Sequence, residues 1–284
     1  MWGEFIMFNL KLSVSVSAIK PMGFSGDRFH YDINDKFKQK LIDAKNLGFE
    51  AVEIGINGTY NPFEVDELID EIIEQIIESG IKVNSFHIPF AREWTDLCET
   101  YEPDRVGFIG WIKNLFKKLE KVNPRAFVLH PGAMSVRDAE KSFEALCKSA
   151  DELAESTNVF VCIENMVRSQ VFERKEQFVK FKNTVKKAKM VLDVNHLLHD
   201  RAEDILLELG GDFVKTLHIS DYDFENERHW LPKEGKNDWM KIISALEKIG
   251  YDGVFNYEVN ASYSLEQIKA NFDELKSEYI SLKK

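Results

Sequence analysis

The stretch Val159-Phe-Val-Cys-Ile-Glu164 is a run of five apolar residues that ends in a carboxylate. Short apolar runs rich in β-branched and aromatic residues are typical of strands buried in a parallel sheet. Seven further runs of this kind occur along the chain, at Leu10–Ser17, Ala51–Ile56, Val83–Ile88, Ala126–His130, Lys189–Val194, Val214–Ile219 and Val254–Glu258. Together the runs predict eight strands.

Longer amphipathic segments separate the runs, with apolar residues at three- and four-residue spacing. They cover Asp35–Leu47, Val65–Ser79, Gly107–Val122, Ala139–Ser156, Trp239–Ile249 and Leu265–Leu282. A shorter segment, Ala202–Leu209, has room for only about two helical turns. Strands that alternate with helices indicate βα units. The sequence therefore predicts the α/β class and a single (β/α)8 TIM-barrel domain over residues 1–284, with residues 1–9 as an N-terminal extension. An open doubly wound sheet is the alternative.

Composition and charge limit the compartment and the partners. No apolar run approaches the roughly 20 residues of a membrane span, and the first residues lack the features of a secretory signal. Three cysteines without close-paired spacing are typical of thiols in a reducing compartment. A net charge of −11 disfavours nucleic acid as a partner. We expect a cytoplasmic protein that binds no membrane, with nucleic acid a disfavoured partner.

Titratable side chains stand at the ends of six successive predicted strands, where barrel enzymes carry their catalytic groups. They are His87, His130, Glu164, Asp193 with His196, His218 with Asp221, and Glu258. Burying so many imidazoles and carboxylates in one barrel mouth is costly unless a cation neutralises them. The pattern predicts a divalent-metal site. Its mixed oxygen and nitrogen ligands, Glu164, Asp193, His218 and Glu258, suit manganese, cobalt, magnesium or zinc.

A long polar segment, Asp223–Trp239, follows the seventh predicted strand. Segments of this length inside a compact domain are usually functional, so we expect this one to cover a substrate. His30 and His199 lie away from the strand ends, and structural or solvent-exposed roles are expected for both.

The strand-end motifs resemble those of the xylose-isomerase-like barrel superfamily, which includes sugar phosphate isomerases and epimerases and the endonuclease IV type of abasic-site nuclease. The resemblance covers the whole chain. It rests on His-Ile-Pro at 87–89, His-Pro-Gly at 130–132, Glu-Asn-Met at 164–166, Asp193 with His196, His-Ile-Ser-Asp at 218–221, Glu258, and the loop that carries Arg228-His229, Pro232, Glu234-Gly235 and Asp238-Trp239.

The isomerase and epimerase members imply one metal held by Glu164, Asp193, His218 and Glu258. They imply that Glu164 and Glu258 are the catalytic pair, which moves a proton on a carbohydrate substrate through a metal-stabilised enediolate. The substrate would be bound by His87, His130, His196, Arg228 and Trp230. An inosose-type dehydratase would use the same site. Barrels of this group often pair, so the resemblance is compatible with a homodimer.

The nuclease members imply a different use of the same mouth, a trinuclear zinc cluster. Its additional metal ligands would be His87, His130, His196, Glu227 and His229, with Glu227 standing where that pattern has aspartate. The charge balance and the segment from Trp230 to Trp239 favour the sugar enzymes. A non-catalytic barrel that senses metal or sugar is a third hypothesis. No glycine-rich turn follows the seventh or eighth strand, so the sequence gives no support for a phosphorylated substrate.

Overall fold

The computed structural model describes residues 8–25, 28–56, 62–90, 96–132 and 138–283. Within these ranges the strands are β1 (Leu12–Ser17), β2 (Ile19–Ser25), β3 (Arg28–Ile33), β4 (Ala51–Gly55), β5 (Val83–His87), β6 (Ala126–Leu129), β7 (Phe160–Glu164), β8 (Lys189–Asp193), β9 (Val214–His218) and β10 (Phe255–Tyr257). The helices are α1 (Phe37–Asn46), α2 (Pro62–Ser79), α3 (Glu102–Leu119), α4 (Ala139–Ala154), α5 (Lys175–Thr184), α6 (Ala202–Leu209), α7 (Trp239–Lys248) and α8 (Leu265–Ser281). Of the predicted N-terminal extension, residues 1–7 lie outside the described ranges.

Eight parallel strands form the barrel, in the order β10-β1-β4-β5-β6-β7-β8-β9. A parallel bridge between Ile219 and Tyr257 links the two ends of this order. Two backbone hydrogen bonds accompany the bridge: the Ile219 N–H donates to the carbonyl of Asn256 at 2.8 Å, and the Glu258 N–H donates to the carbonyl of Ile219 at 3.1 Å. The predicted single-domain TIM barrel is confirmed.

An antiparallel hairpin interrupts the βα alternation at its first step. Strands β2 and β3 pair from Ile19 with Ile33 to Ser25 with Arg28, between β1 and α1. The sequence pattern does not predict this hairpin, because Pro21 and Gly23 are residues that weaken strands. The register shifts between those two residues. The hairpin leaves the carboxyl end of β1, so it extends from the end of the barrel that carries the strand-end side chains.

The helices pack apolar stripes onto the barrel, and the barrel interior is partly polar. Helix α7 buries Trp239, Ile242 and Leu246, and a capping box at Ser264 begins helix α8. Ser13, Asn84, Thr216 and Asn256 are buried inside the barrel and form two hydrogen-bonded pairs. Ser13 Oγ donates to Asn256 Oδ1 at 2.7 Å, and Asn84 Nδ2 donates to Thr216 Oγ1 at 3.1 Å. A layer of polar side chains therefore lies inside the barrel. Each helix that the structure describes is too short or too polar to cross a membrane.

Candidate metal centre

Four predicted ligands meet at the mouth of the barrel. Glu164, Asp193 and His218 end strands β7, β8 and β9, and Glu258 directly follows β10. Because neighbouring parallel strands end at the same edge, the four side chains converge. One potential ligand atom from each lies within 4.8 Å of the corresponding atom of every other. Glu164, Asp193 and His218 are buried, and Glu258 is half-buried.

Three carboxylates face a single nitrogen of His218. Nδ1 lies 2.9 Å from Glu258 Oε2, 3.1 Å from Glu164 Oε1 and 3.8 Å from Asp193 Oδ2. Burial lowers the pKa of His218, but the negative charges around it outweigh burial and hold that pKa well above its usual value. The cluster thus concentrates negative charge at one buried point, which favours a cation.

Asp193 carries the clearest sign of a missing partner. Burial raises its pKa to about 7, and attraction to His196 offsets this only in part. Its Oδ2 atom is buried and has no hydrogen-bond partner among the described residues, although His196 Nδ1 lies 3.3 Å away. Buried polar atoms are normally satisfied, and a carboxylate oxygen beside an imidazole and two further carboxylates suits a divalent ion. The donor set therefore fits the predicted metal.

Two further groups of possible ligands flank the centre. The first joins His87 and His130 to Glu164, and the second joins His196, Glu227 and His229. His87 Nε2 lies 3.2 Å and His130 Nε2 lies 3.4 Å from the same Glu164 oxygen. Every residue that the sequence analysis named as a metal ligand thus belongs to one of three adjacent groups.

The two remaining predicted substrate contacts lie on the loop. The Arg228 Nε donates to Asp223 Oδ2 at 2.7 Å, and its guanidinium carbon lies 5.6 Å from the centre of the Trp230 ring. The backbone N–H groups of Arg228 and His229 donate to Asn195 Oδ1 at 3.1 and 3.3 Å. Arg228 therefore pairs with its own loop here, and its predicted contact with substrate remains a prediction.

Buried Asp221 anchors that loop over the barrel. Its carboxylate accepts hydrogen bonds from Trp239 Nε1 at 2.8 Å, the Lys233 N–H at 2.9 Å and Asn237 Nδ2 at 3.1 Å. Gly235 passes so close that a Cβ there would lie 2.4 Å from Asp221 Oδ1. The loop is therefore a bound structural unit rather than a freely solvated connection.

Two residues near the centre were not predicted from the sequence. Glu53, on β4, is 1% exposed and lies 3.1 Å from His218 Nε2. Phe90 is 40% exposed, and its ring stacks on His130 with 4.3 Å between ring centres. The sequence signal for Glu53 is a glutamate inside the apolar run Ala51-Val-Glu-Ile-Gly55. The signal for Phe90 is an aromatic residue three positions after His87.

Comparisons with known proteins agree with this architecture. The sequence model for xylose isomerase-like TIM barrels matches residues 41–278. A D-psicose 3-epimerase from Clostridium cellulolyticum H10, solved with D-tagatose, superimposes with a TM-score of 0.73 at 17% identity, over 95% of this chain and 99% of that one. The E. coli 3-keto-D-glucoside 4-epimerase YcjR gives a TM-score of 0.70 at 16% identity, over 95% and 100%. At these identities the likeness shows the fold.

Two further matches extend the comparison. The IolI protein, solved with a bound zinc atom, superimposes with a TM-score of 0.72 at 18% identity, over 95% of this chain and 99% of that one. A relative by sequence is the protein MJ1188 of Methanocaldococcus jannaschii, 27% identical over 144 residues. That match covers 48% of this chain and about half, 52%, of the relative.

Proposed function

Because the chain belongs to the xylose isomerase-like TIM barrel family, we propose that it is a divalent-metal-dependent isomerase or epimerase of a sugar or a sugar-like keto or polyol compound. One observation carries the proposal: Glu164, Asp193, His218 and Glu258 bring their ligand atoms within 4.8 Å of one another at the barrel mouth. The fold shared with two proteins named as sugar epimerases supports the same chemistry.

A divalent ion held by these residues would polarise a sugar carbonyl and its neighbouring hydroxyl, which acidifies the C–H between them. We assign the removal of that proton to Glu258. Burial raises its pKa, but the charge of His218 outweighs burial and holds the pKa at about 2, so the group is ionised at neutral pH. With 29% of its side chain exposed, Glu258 can be reached from the mouth.

Glu164 is the complementary group, and its carboxylate faces the same nitrogen of His218 as that of Glu258. Burial raises its pKa, but His218 and hydrogen bonds from the surrounding histidines outweigh burial and keep that pKa well below the usual range. Proton delivery by one glutamate after removal by the other inverts a carbon, which is epimerisation. Return of the proton to the adjacent carbon is isomerisation.

The remaining mouth residues suit the polar and apolar faces of a sugar. His196 is buried beside the centre. Burial lowers its pKa, but Asp193 and Glu227 outweigh burial and raise that pKa to about 10. In this proposal the protonated ring donates hydrogen bonds to sugar oxygens. Phe90, stacked on His130, offers an aromatic surface to the C–H face of a ring. His87, Arg228 and Trp230 complete the substrate contacts in this proposal.

The test is a screen of ketoses, aldoses and inososes in deuterated water, with the protein loaded in turn with manganese, cobalt, magnesium and zinc. We expect deuterium to enter a carbon next to the carbonyl of at least one substrate. A product that is the substrate minus one water molecule would identify an inosose-type dehydratase, which begins with the same proton removal and then expels the β-hydroxyl. If none of the compounds takes up deuterium with any of the metals, the proposal is wrong.

The two flanking groups give one observation in favour of a second function, an abasic-site nuclease with a trinuclear zinc cluster. Together with the centre they supply three adjacent ligand sets, and Glu164 belongs to two of them. Against it stands the net charge of −11, which opposes binding to a polyanion. Three tightly bound zinc ions per chain and cleavage of an abasic duplex at low salt would favour the nuclease. One tight ion and an intact duplex would favour the sugar enzyme.

A further inference from the structure

Glu53 lies beneath the proposed metal centre, on the side of His218 that faces away from the other ligands. His218 Nε2 is 3.1 Å from each oxygen of the Glu53 carboxylate. The opposite ring nitrogen, Nδ1, is the one that faces Glu258 and Glu164 at 2.9 and 3.1 Å. The imidazole therefore bridges a carboxylate inside the barrel and the carboxylates at its mouth.

The surroundings of Glu53 hold its carboxylate in one orientation. At 1% exposure it is cut off from water, a costly position for a charged group. Ser15 Oγ donates to Oε1 at 2.7 Å, and Ser85 Oγ donates to Oε2 at 2.6 Å. One serine thus fixes each oxygen, Asn256 Nδ2 also donates to Oε1 at 3.4 Å, and both oxygens face His218 Nε2.

This geometry bears on which ring nitrogen of His218 is free to bind a metal. A neutral imidazole carries its proton on one nitrogen and a lone pair on the other. A proton on Nε2 points at the Glu53 carboxylate and leaves the Nδ1 lone pair directed toward Glu164 and Glu258. A proton on Nδ1 would instead block the ligand position and set the Nε2 lone pair against a negative charge.

We propose that Glu53 is a positioning residue for the metal centre, one that accepts the Nε2 proton of His218 and thereby keeps Nδ1 unprotonated and oriented as a ligand. The inference rests on the metal site of the proposed function. A carboxylate behind a metal-bound histidine orients the ring and increases its basicity, and loss of such a partner typically weakens metal binding by about 10- to 100-fold.

The first test is the zinc affinity of the full-length protein, measured by competition with a chromophoric chelator. Glu53→Gln keeps the shape of the side chain and removes its charge, and we expect its zinc affinity to fall by about 10- to 100-fold. Glu53→Asp keeps the charge and should recover part of that loss. Thr216→Val is the matched control, because Thr216 lies two positions before His218 on β9, is fully buried in the same polar layer and bonds to Asn84. It should bind zinc as the wild type does.

The second test reads the His218 ring directly, by long-range proton–nitrogen NMR of the zinc-loaded wild type. We expect metal on Nδ1 and a hydrogen-bonded proton on Nε2. A wild-type spectrum without that proton would overturn the inference, whether or not the Glu53 variants fold. Equal zinc affinity in wild type and Glu53→Gln, or an equal loss in Thr216→Val, would overturn it as well.

These readouts need no turnover, so the two proposals fail separately. A protein that shows the expected His218 spectrum and the loss in Glu53→Gln, yet exchanges no sugar proton, supports the role of Glu53 and contradicts the proposed function. A protein that exchanges sugar protons, with zinc affinity unchanged by Glu53→Gln, contradicts only the role of Glu53. A wild type that binds no zinc, manganese, cobalt or magnesium overturns both.

Discussion

The Glu258 carboxylate lies 2.9 Å from His218 Nδ1 and keeps 29% of its side chain exposed, whereas the Glu164 carboxylate, 3.1 Å from the same nitrogen, is 1% exposed. The two glutamates therefore differ in their access to the mouth. Glu258 can meet a substrate and exchange a proton with solvent, whereas Glu164 is shielded from solvent. We therefore expect Glu258 to be the group through which solvent deuterium reaches the substrate.

Replacing Glu258 with Gln should lower the rate of deuterium exchange into substrate by about 10²- to 10⁴-fold, the usual contribution of a general base. Saturating metal compensates for the weaker amide ligand, so the loss reports proton transfer. The measurement is exchange in deuterated water followed by NMR. Glu225→Gln, which changes an exposed glutamate on the neighbouring loop, is the matched control and should exchange at the wild-type rate. An equal rate in Glu258→Gln would exclude Glu258 as the base.

Metal-free protein should lose stability as pH rises through the titration of Asp193. Burial raises the pKa of Asp193 from 3.8 to about 7, so the fold favours its protonated form. The stabilisation that the protonated carboxyl gives the fold is fully present below about pH 4 and is lost as pH rises through about 7. The side chain at position 193 cannot ionise in Asp193→Asn. In the presence of chelator, the thermal midpoint of this variant minus that of the wild type should therefore increase from pH 5 to pH 8.

Added zinc should reverse the trend in the wild type. Metal binding needs the ionised carboxylate, so the ion should raise the thermal midpoint more at pH 8 than at pH 5. A midpoint difference between wild type and Asp193→Asn that stays constant from pH 5 to pH 8 would show that Asp193 is not the titrating group.

The loop that Asp221 anchors should depend on Gly235. A Cβ at this position would lie 2.4 Å from Asp221 Oδ1 and 2.4 Å from the Tyr222 carbonyl oxygen, so Gly235→Ala should destabilise the protein by about 1–3 kcal/mol. Gly107→Ala is the opposite control, because a Cβ there meets no atom of the described residues within 4 Å and the position is inside helix α3. It should stabilise by about 0.5–1 kcal/mol. Urea unfolding measures both, and a Gly235→Ala protein as stable as wild type would contradict the packing described.

The barrel follows from the sequence because each of its strands carries its own apolar run. Residues such as Glu164 and His218 end those runs, so their meeting at one edge of the sheet is a consequence of parallel strands. The short helix predicted over Ala202–Leu209 is found with those bounds. The hairpin of β2 and β3 could not be predicted in the same way, since Pro21 and Gly23 break the pattern of a strand.

Glu53 illustrates the other limit of the sequence. It lies within an apolar run rather than at its end, and its partners Ser15, Ser85 and His218 come from three other strands. Local pattern cannot reveal contacts between residues as far apart as 165 positions. The sequence thus located the residues at the barrel mouth but not the polar support beneath them. The catalytic and substrate-binding roles assigned to the mouth remain predictions.

Deuterium uptake at the carbon next to a sugar carbonyl, followed by NMR before and after chelation, tests the metal-dependent proton transfer most directly. We predict uptake by metal-loaded protein, loss of uptake in chelator, and recovery when manganese, cobalt, magnesium or zinc is restored. Uptake that continues undiminished after complete removal of the metal would contradict it.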